Sequence, residues 1–154
     1  MGLELRRTDR GMTEAEAREL LERGEYGVLS TADAEGRPYG LPLSYCVLEN
    51  AVYIHCALEG HKVRNMAANS RVSFCVVGAT ELLPSQFATR YESVIVTGRA
   101  DEVFAEEKQR ALEGLVAKYS PQFLDEGSRY IAAMGDRTRT FRISIDSISG
   151  KARR

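Results

Sequence analysis

The chain has 154 residues, 44% of them hydrophobic and 28% charged, with a formal net charge of −1. That length lets one domain bury a core without disulfides or a structural metal. The near-neutral balance excludes a dedicated nucleic-acid binder, which needs a concentrated basic surface.

The opening MGLELRRTDRGM carries charges with no apolar stretch behind them, so no leader is expected. Thr13 followed by Glu16 has capping-box spacing. Ala17, Leu20 and Leu21 then predict a short amphipathic helix stopped at Gly24. Tyr26 to Ala32 reads as a strand, and Asp33 to Pro38 as a turn with Gly36 available for positive φ. Tyr39 to Leu48 predicts a second strand. Pro42 cannot donate to a ladder, so this strand belongs at an edge or carries a bulge. Ala51 to Leu58 pairs back, with Val52, Ile54, Cys56 and Leu58 on one face and Tyr53 and His55 on the other.

Glu59-Gly60 breaks that strand, and His61 to Ala68 predicts a short helix with Val63, Met66 and Ala67 inward. Arg71 to Val77 is a strand, Gly78 to Arg90 a loop, and Tyr91 to Val103 a long strand bent at Gly98. Leu112, Leu115, Val116 and Tyr119 fall at helical spacing. A weaker helical stretch runs from Leu124 to Met134. Thr138 to Ser147 is the last strand, and Arg153 and Arg154 end the chain as a solvated tail. Six strands with hairpin connections and flanking helices predict one mainly β domain over residues 1–154, an antiparallel sheet closed into a barrel. No apolar run approaches the roughly 20 residues of a membrane span, so we expect a cytoplasmic protein.

The stretch Tyr53 to Lys62 runs strand, glycine turn, helix start. Backbone N–H groups in a first helical turn are unsatisfied and suit a phosphate. Lys62 and His61 sit in that turn, where a positive side chain opposes the helix dipole unless an anion is bound; the alternative is an ordinary surface lysine. His55 lies on the face away from the apolar core. It is either a surface or interface histidine or an acid/base or substrate-orienting group beside a cofactor. Ser44 and Tyr45 follow the Pro42 irregularity, where free backbone groups could bond a heterocycle. Cys46, Cys56 and Cys75 form no CxxC pair, which argues for a reducing compartment and against a zinc site, and Cys56 reads as a buried apolar residue. No metal site is expected. No nucleophile-elbow, metalloprotease, dinucleotide or kinase motif occurs.

The order of these pieces resembles the nitroimidazole-resistance branch of the pyridoxamine 5′-phosphate oxidase-like split barrels. The resemblance is carried by RRTDRGMT, YGLPLSY, VYIHCALEGHKVRNMAANSRVSF, YESVIVTGRADEV and ISIDSISGK. It implies an FMN-binding split barrel, a homodimer with flavins at its interface, and a small-molecule substrate. It places Pro42, Leu43, Ser44 and Tyr45 along the flavin ring, and Lys62, with His61, at the FMN phosphate. His55 would stand in the active-site cleft next to Cys56 and Ala57. Tyr91, Ser93 and Lys151 would approach from the partner. The activity implied is reduction of a nitro-aromatic such as a 5-nitroimidazole. A short SGKARR end without tryptophan argues against oxidation of pyridoxamine phosphate itself. The alternatives are a non-catalytic flavin- or haem-binding module and a deazaflavin (F420)-dependent reductase with a wider, more basic groove.

Overall fold

A computed structural model describes residues 4–154; residues 1–3, the start of the MGLELRRTDRGM segment, lie outside the described residues. Four α-helices surround one seven-stranded antiparallel sheet. We number the helices α1 (Glu14–Arg23), α2 (His61–Ala68), α3 (Ala105–Tyr119) and α4 (Leu124–Met134). The strands are β1 (Gly27–Ala32), β2 (Pro38–Leu43), β3 (Cys46–Leu48), β4 (Ala51–Cys56), β5 (Arg71–Leu83), β6 (Ala88–Val103) and β7 (Arg139–Arg153). Their order across the sheet is β2-β1-β5-β6-β7-β4-β3.

The count is seven rather than the expected six because the Tyr39–Leu48 segment breaks at Ser44–Tyr45. Its first half, β2, is one edge of the sheet, and its second half, β3, is the other edge. The chain thus steps from one edge to the other within two residues, which curls the sheet into a split barrel. Pro42 sits on the edge strand in continuous register with Val28, so the edge alternative holds and no bulge is needed there.

The barrel interior collects Leu29, Ile54, Phe74, Val76, Val94, Val96 and Ile143, all fully buried. Each such side chain contributes about 1.5–3 kcal/mol of burial. Helix α1 closes part of this core with Ala17, Leu20 and Leu21. Its start is the expected capping box: Glu16 N–H donates to Thr13 Oγ1 at 3.2 Å, and Thr13 N–H donates to Glu16 Oε2 at 2.8 Å. Gly24 ends α1 in extended backbone, and a side chain there would collide with Val76 and the Tyr45 hydroxyl. A second cluster, including Cys46, Tyr53, Leu112, Leu115 and Ile131, packs α3 and α4 against the outer face of β3 and β4.

Several boundaries shift. The Gly78–Arg90 loop is instead the end of a long β5–β6 hairpin, with only Pro84–Gln86 as a 3₁₀ turn and Phe87 in left-handed backbone. Continued pairing of Thr80 to Leu83 with Tyr91 to Ala88 carries the ladder through a stretch whose polar residues hid it. The last strand likewise runs to Arg153, so the tail is not frayed: Ala152 is buried, and Arg154 pairs with Glu16 at 2.8 Å. Leu58 and Ala67 are exposed, because β4 ends at Cys56 and Asn65 takes the inward place in α2, donating to Thr31 Oγ1 at 3.0 Å.

Strand β6 bends where expected. Thr97 faces Ser147 and Gly98 faces Ile145, so Asp146 is an extra residue on β7. A Cβ at Gly98 would lie 1.8 Å from the Ser144 carbonyl oxygen. Gly98→Ala is therefore expected to destabilise the fold by about 3 kcal/mol or more. A urea midpoint close to that of the unaltered protein would show that the strands can separate there at little cost.

Candidate active site

The break at Ser44–Tyr45 leaves backbone groups without a strand partner, and one side chain covers them. The Tyr119 hydroxyl, at the end of α3, accepts from Tyr45 N–H at 3.1 Å and donates to the Glu25 carbonyl. The Tyr45 ring points inward and is fully buried, with its hydroxyl donating to the Leu21 carbonyl. Burial raises the Tyr45 pKa far above the phenol range. Tyr45 is thus a structural residue whose N–H is already engaged, and Ser44 is the exposed residue of the pair.

Past Tyr53, β4 also loses its partner on the β3 side, so Ile54, His55 and Cys56 pair only with β7. A cavity of about 320 Å³ opens here. Ser44, His55, Ser120 and Thr138 provide its polar lining; Leu115, Val116, Ile131 and Met134 of α3 and α4 provide much of its apolar wall, with Tyr119 and Tyr130 also lining it. This volume is near the lower end for ligand pockets and suits a small aromatic rather than a whole nucleotide. His55 lies on the outward face, as expected, and is exposed at the cavity mouth; α3 and α4 pack beside it and supply the rest of the cavity wall.

Burial lowers the His55 pKa below its ordinary 6.5, and the nearby Lys62 ammonium lowers it further. His55 is therefore neutral at pH 7 and offers one N–H donor and one acceptor. Lys62 is half-buried in the first turn of α2. That turn holds no acidic residue, and its N-cap, Gly60, makes no side-chain cap. Gly60 has φ 157° and open space where a Cβ would stand, so its backbone is approachable. Unsatisfied N–H groups, an open glycine and a lysine together fit a phosphate.

His61 does not stand free beside Lys62; its ring stacks on Tyr39 of β2 at 4.1 Å and 6°. Tyr39 had no sequence signal, because only the fold brings β2 against α2. Cys56 faces the core and its thiol pKa is raised by burial, so Cys56 and Ala57 can offer the site little beyond backbone. Pro42 and Leu43 lie on the open edge of β2, next to Ser44. Tyr91, Ser93 and Lys151 are elsewhere. Tyr91 pairs with Arg153 and Ser93 with Lys151, whereas His55 pairs with Thr140 near the opposite end of β7. Within one chain they are not part of the His55 site.

A family model described as pyridoxamine 5′-phosphate oxidase matches residues 13–152. The chain belongs to this family. No functionally curated protein matches it in sequence. Among solved structures, it is similar to a FAD-binding protein from Mesorhizobium loti, at 25% identity and TM-score 0.68, over 94% of this chain and 98% of that one. It is similar to a candidate 5-nitroimidazole antibiotic resistance protein from Bacteroides thetaiotaomicron, at 18% identity and TM-score 0.74, over 92% and 86%. A FAD and haem binding protein from Mycobacterium smegmatis matches at 19% identity and TM-score 0.77, over 93% and 73%. These likenesses agree on the split-barrel fold. No helix among the described residues is long and apolar enough to cross a membrane.

The chain has two histidines, so proton NMR can follow His55 directly. Its titration is expected below 6.5, and Lys62→Ala should move it upward, since one of the two causes is then removed. Because the folded pKa is depressed, the stability this group contributes is present above 6.5 and is lost as pH falls through 6.5 and the folded pKa. A His55 midpoint at or above 6.5 contradicts this environment.

Proposed function

We propose that this protein is an FMN-dependent oxidoreductase that reduces a small nitro-aromatic or similar electron-poor ring. The observation that carries the reading is the convergence of His55 and Ser44 on a small, mainly apolar cavity next to the Lys62 turn. In this reading Lys62 and the α2 N-terminus hold the FMN phosphate, and the ring runs along Pro42, Leu43 and Ser44. Reduced FMN supplies the hydride when bound, drawn from an external donor. The cavity between α3 and α4 excludes water around the substrate ring. His55, neutral at working pH, orients the acceptor through a hydrogen bond from its N–H, a role its lowered pKa suits better than that of a proton reservoir.

The same reading makes the protein a homodimer. On the outer face of the sheet, Val28, Cys75 and Ile95 stand directly opposite one another in register. Val28 is 37% and Ile95 47% exposed, and Val77 beside them is 57% exposed. An apolar row on a sheet face needs a cover, and a second copy supplies one. That arrangement also lets Tyr91, Ser93 and Lys151 of one copy meet the flavin held by the other.

Protein purified without added cofactor should show flavin absorption bands and release about one FMN per chain. Lys62→Ala is expected to weaken FMN binding about tenfold or more while leaving the fold intact; unaltered flavin affinity removes Lys62 from the phosphate site. His55→Ala should retain FMN and lose at least about tenfold in turnover of a nitro-aromatic with NAD(P)H, and unchanged turnover removes it from the mechanism. Light scattering should give twice the chain mass, reduced to a single chain by Ile95→Lys. A second reading, a haem-binding module, has one observation in its favour: a neutral imidazole in an apolar setting is a competent iron ligand. It predicts a Soret band that is lost in His55→Ala and no flavin on release.

A further inference from the structure

The C-terminal end of the barrel carries four arginines that the flavin reading does not use, next to the Tyr91 and Lys151 that it places at the partner's flavin. The 3₁₀ turn Thr8–Arg10 is pinned against β7 by the Gly11–Lys151 bridge and by Met12 N–H donating to the Gly150 carbonyl at 2.9 Å. Between this turn and the end of β7 lies a cleft of about 380 Å³ lined by Arg7, Arg10, Arg153 and Arg154, with Asp9 the one acid in its wall. Arg7 is held by Asp9 at 2.7 Å and Arg154 by Glu16 at 2.8 Å. Arg10 and Arg153 are left without a carboxylate partner among the described residues. Tyr91, directly opposite Arg153 on β6, has its pKa pulled down first by hydrogen bonding from Arg10 and then by Lys151.

With Arg7 and Arg154 paired, Arg10 and Arg153 are the two uncompensated guanidinium groups lining the cleft and repel each other, in a chain whose net charge is −1. The backbone pins prevent the turn from swinging away to relieve the repulsion. An anion relieves it, and paired planar guanidinium forks match phosphate oxygens. A second cleft, of about 350 Å³, adjoins the first through Ala152, Arg153 and Arg154 and is walled by Ala79, Thr80, Glu81, Arg90, Tyr91 and Glu92. A mainly basic cleft leading into one of mixed charge beside a tyrosine suits a ligand with a phosphate at one end and a hydroxyl-bearing sugar and a base at the other.

We propose that this cleft is a second ligand site, separate from the flavin site, which binds the phosphate or pyrophosphate of a nucleotide through Arg10 and Arg153. The shared chemistry is the phosphate anion, whose source is either a nucleotide or a free inorganic ion. Calorimetric titrations of the flavin-loaded protein with NADP⁺, NAD⁺ and inorganic pyrophosphate separate these sources, because oxidised dinucleotides bind without turnover. At least one dinucleotide should bind. Its affinity should fall as salt rises from low ionic strength to about 0.5 M, where the Debye length is only a few ångströms. It should also fall tenfold or more in the Arg10→Gln/Arg153→Gln double variant, with flavin content unchanged. The salt series on the unaltered protein tests the charge argument even if that variant folds poorly.

Absence of binding by all three probes overturns the proposal, as does dinucleotide binding unaffected by salt or by the double variant. Pyrophosphate binding without either dinucleotide overturns the nucleotide assignment in favour of an inorganic anion. Loss of flavin from the double variant overturns the separation of the two sites and assigns the cleft to the FMN phosphate. None of these outcomes depends on nitro-aromatic turnover, so failure of this proposal and failure of the oxidoreductase reading are distinguishable.

Discussion

Two free sheet edges present rows of unpaired N–H and C=O groups, and in this chain those edges are consecutive halves of a single segment. The step between them at Ser44–Tyr45 must therefore be held open and yet satisfied. One phenol performs both tasks. Tyr119 accepts the Tyr45 N–H and donates to the Glu25 carbonyl, which ties α3 to both sides of the step. Lys118, one residue earlier, lies with its ammonium 3.6 Å above the Tyr45 ring and has no hydrogen-bond partner. Such a contact contributes on the order of 0.5–2 kcal/mol and offsets part of the cost of burying the charge. Burial lowers the Lys118 pKa and pushes the neighbouring Cys46 thiol up to about 11, so Cys46 sits in the apolar seal as a neutral thiol. The cavity beside His55 exists because this seal holds the helices away from the split.

Much of the barrel was legible because its signals are local. The capping box at Thr13, the alternation of Val72, Phe74 and Val76, the helical spacing of Leu112 and Leu115, and the glycine bend at Gly98 each depend on near neighbours in sequence. The bounds of α2, from His61 to Ala68, were readable because Gly60 and Asn69 flank it. The illegible parts depend on long-range partners. Nothing in YGLPLSYCVL tells that the strand breaks after Leu43, since the break is stabilised by Tyr119, 74 residues away from Tyr45. The extension of β5 through Glu81 is similarly a property of its pairing with Arg90, not of its own composition.

The site shows the same division. His55 and Ser44 were identified from strand phase and from the proline edge, and the fold brings both to one cavity. Tyr39 against His61, and the α3–α4 wall, came from tertiary packing that no spacing encodes. Lys62 illustrates how a local electrostatic rule carries over into the folded protein. A cation in a first helical turn opposes the helix dipole, and here the same charge also helps keep His55 neutral. Any anion bound at that turn offsets both effects, so occupancy of the turn and the protonation of His55 are coupled through one side chain.

Geometry along β6 and β7 sets how many such electrostatic centres one chain can hold. The two strands pair from Val103 and Thr140 at one end to Tyr91 and Arg153 at the other. At about 3.3 Å per residue, that run would exceed the width of a small domain if it were straight. The bulge at Asp146 and the close approach at Gly98 bend it around the core instead. The bend keeps Val94, Val96 and Ile143 inside while delivering the two ends to different parts of the surface. Lys62 beside His55 and the arginine cleft beside Tyr91 therefore stay apart within a chain, and neither cation group screens the other. A sheet without the bend would leave much of this ladder without a core to cover. One long bent hairpin thus maintains both the hydrophobic interior and the separation of two basic centres on a chain with almost no net charge.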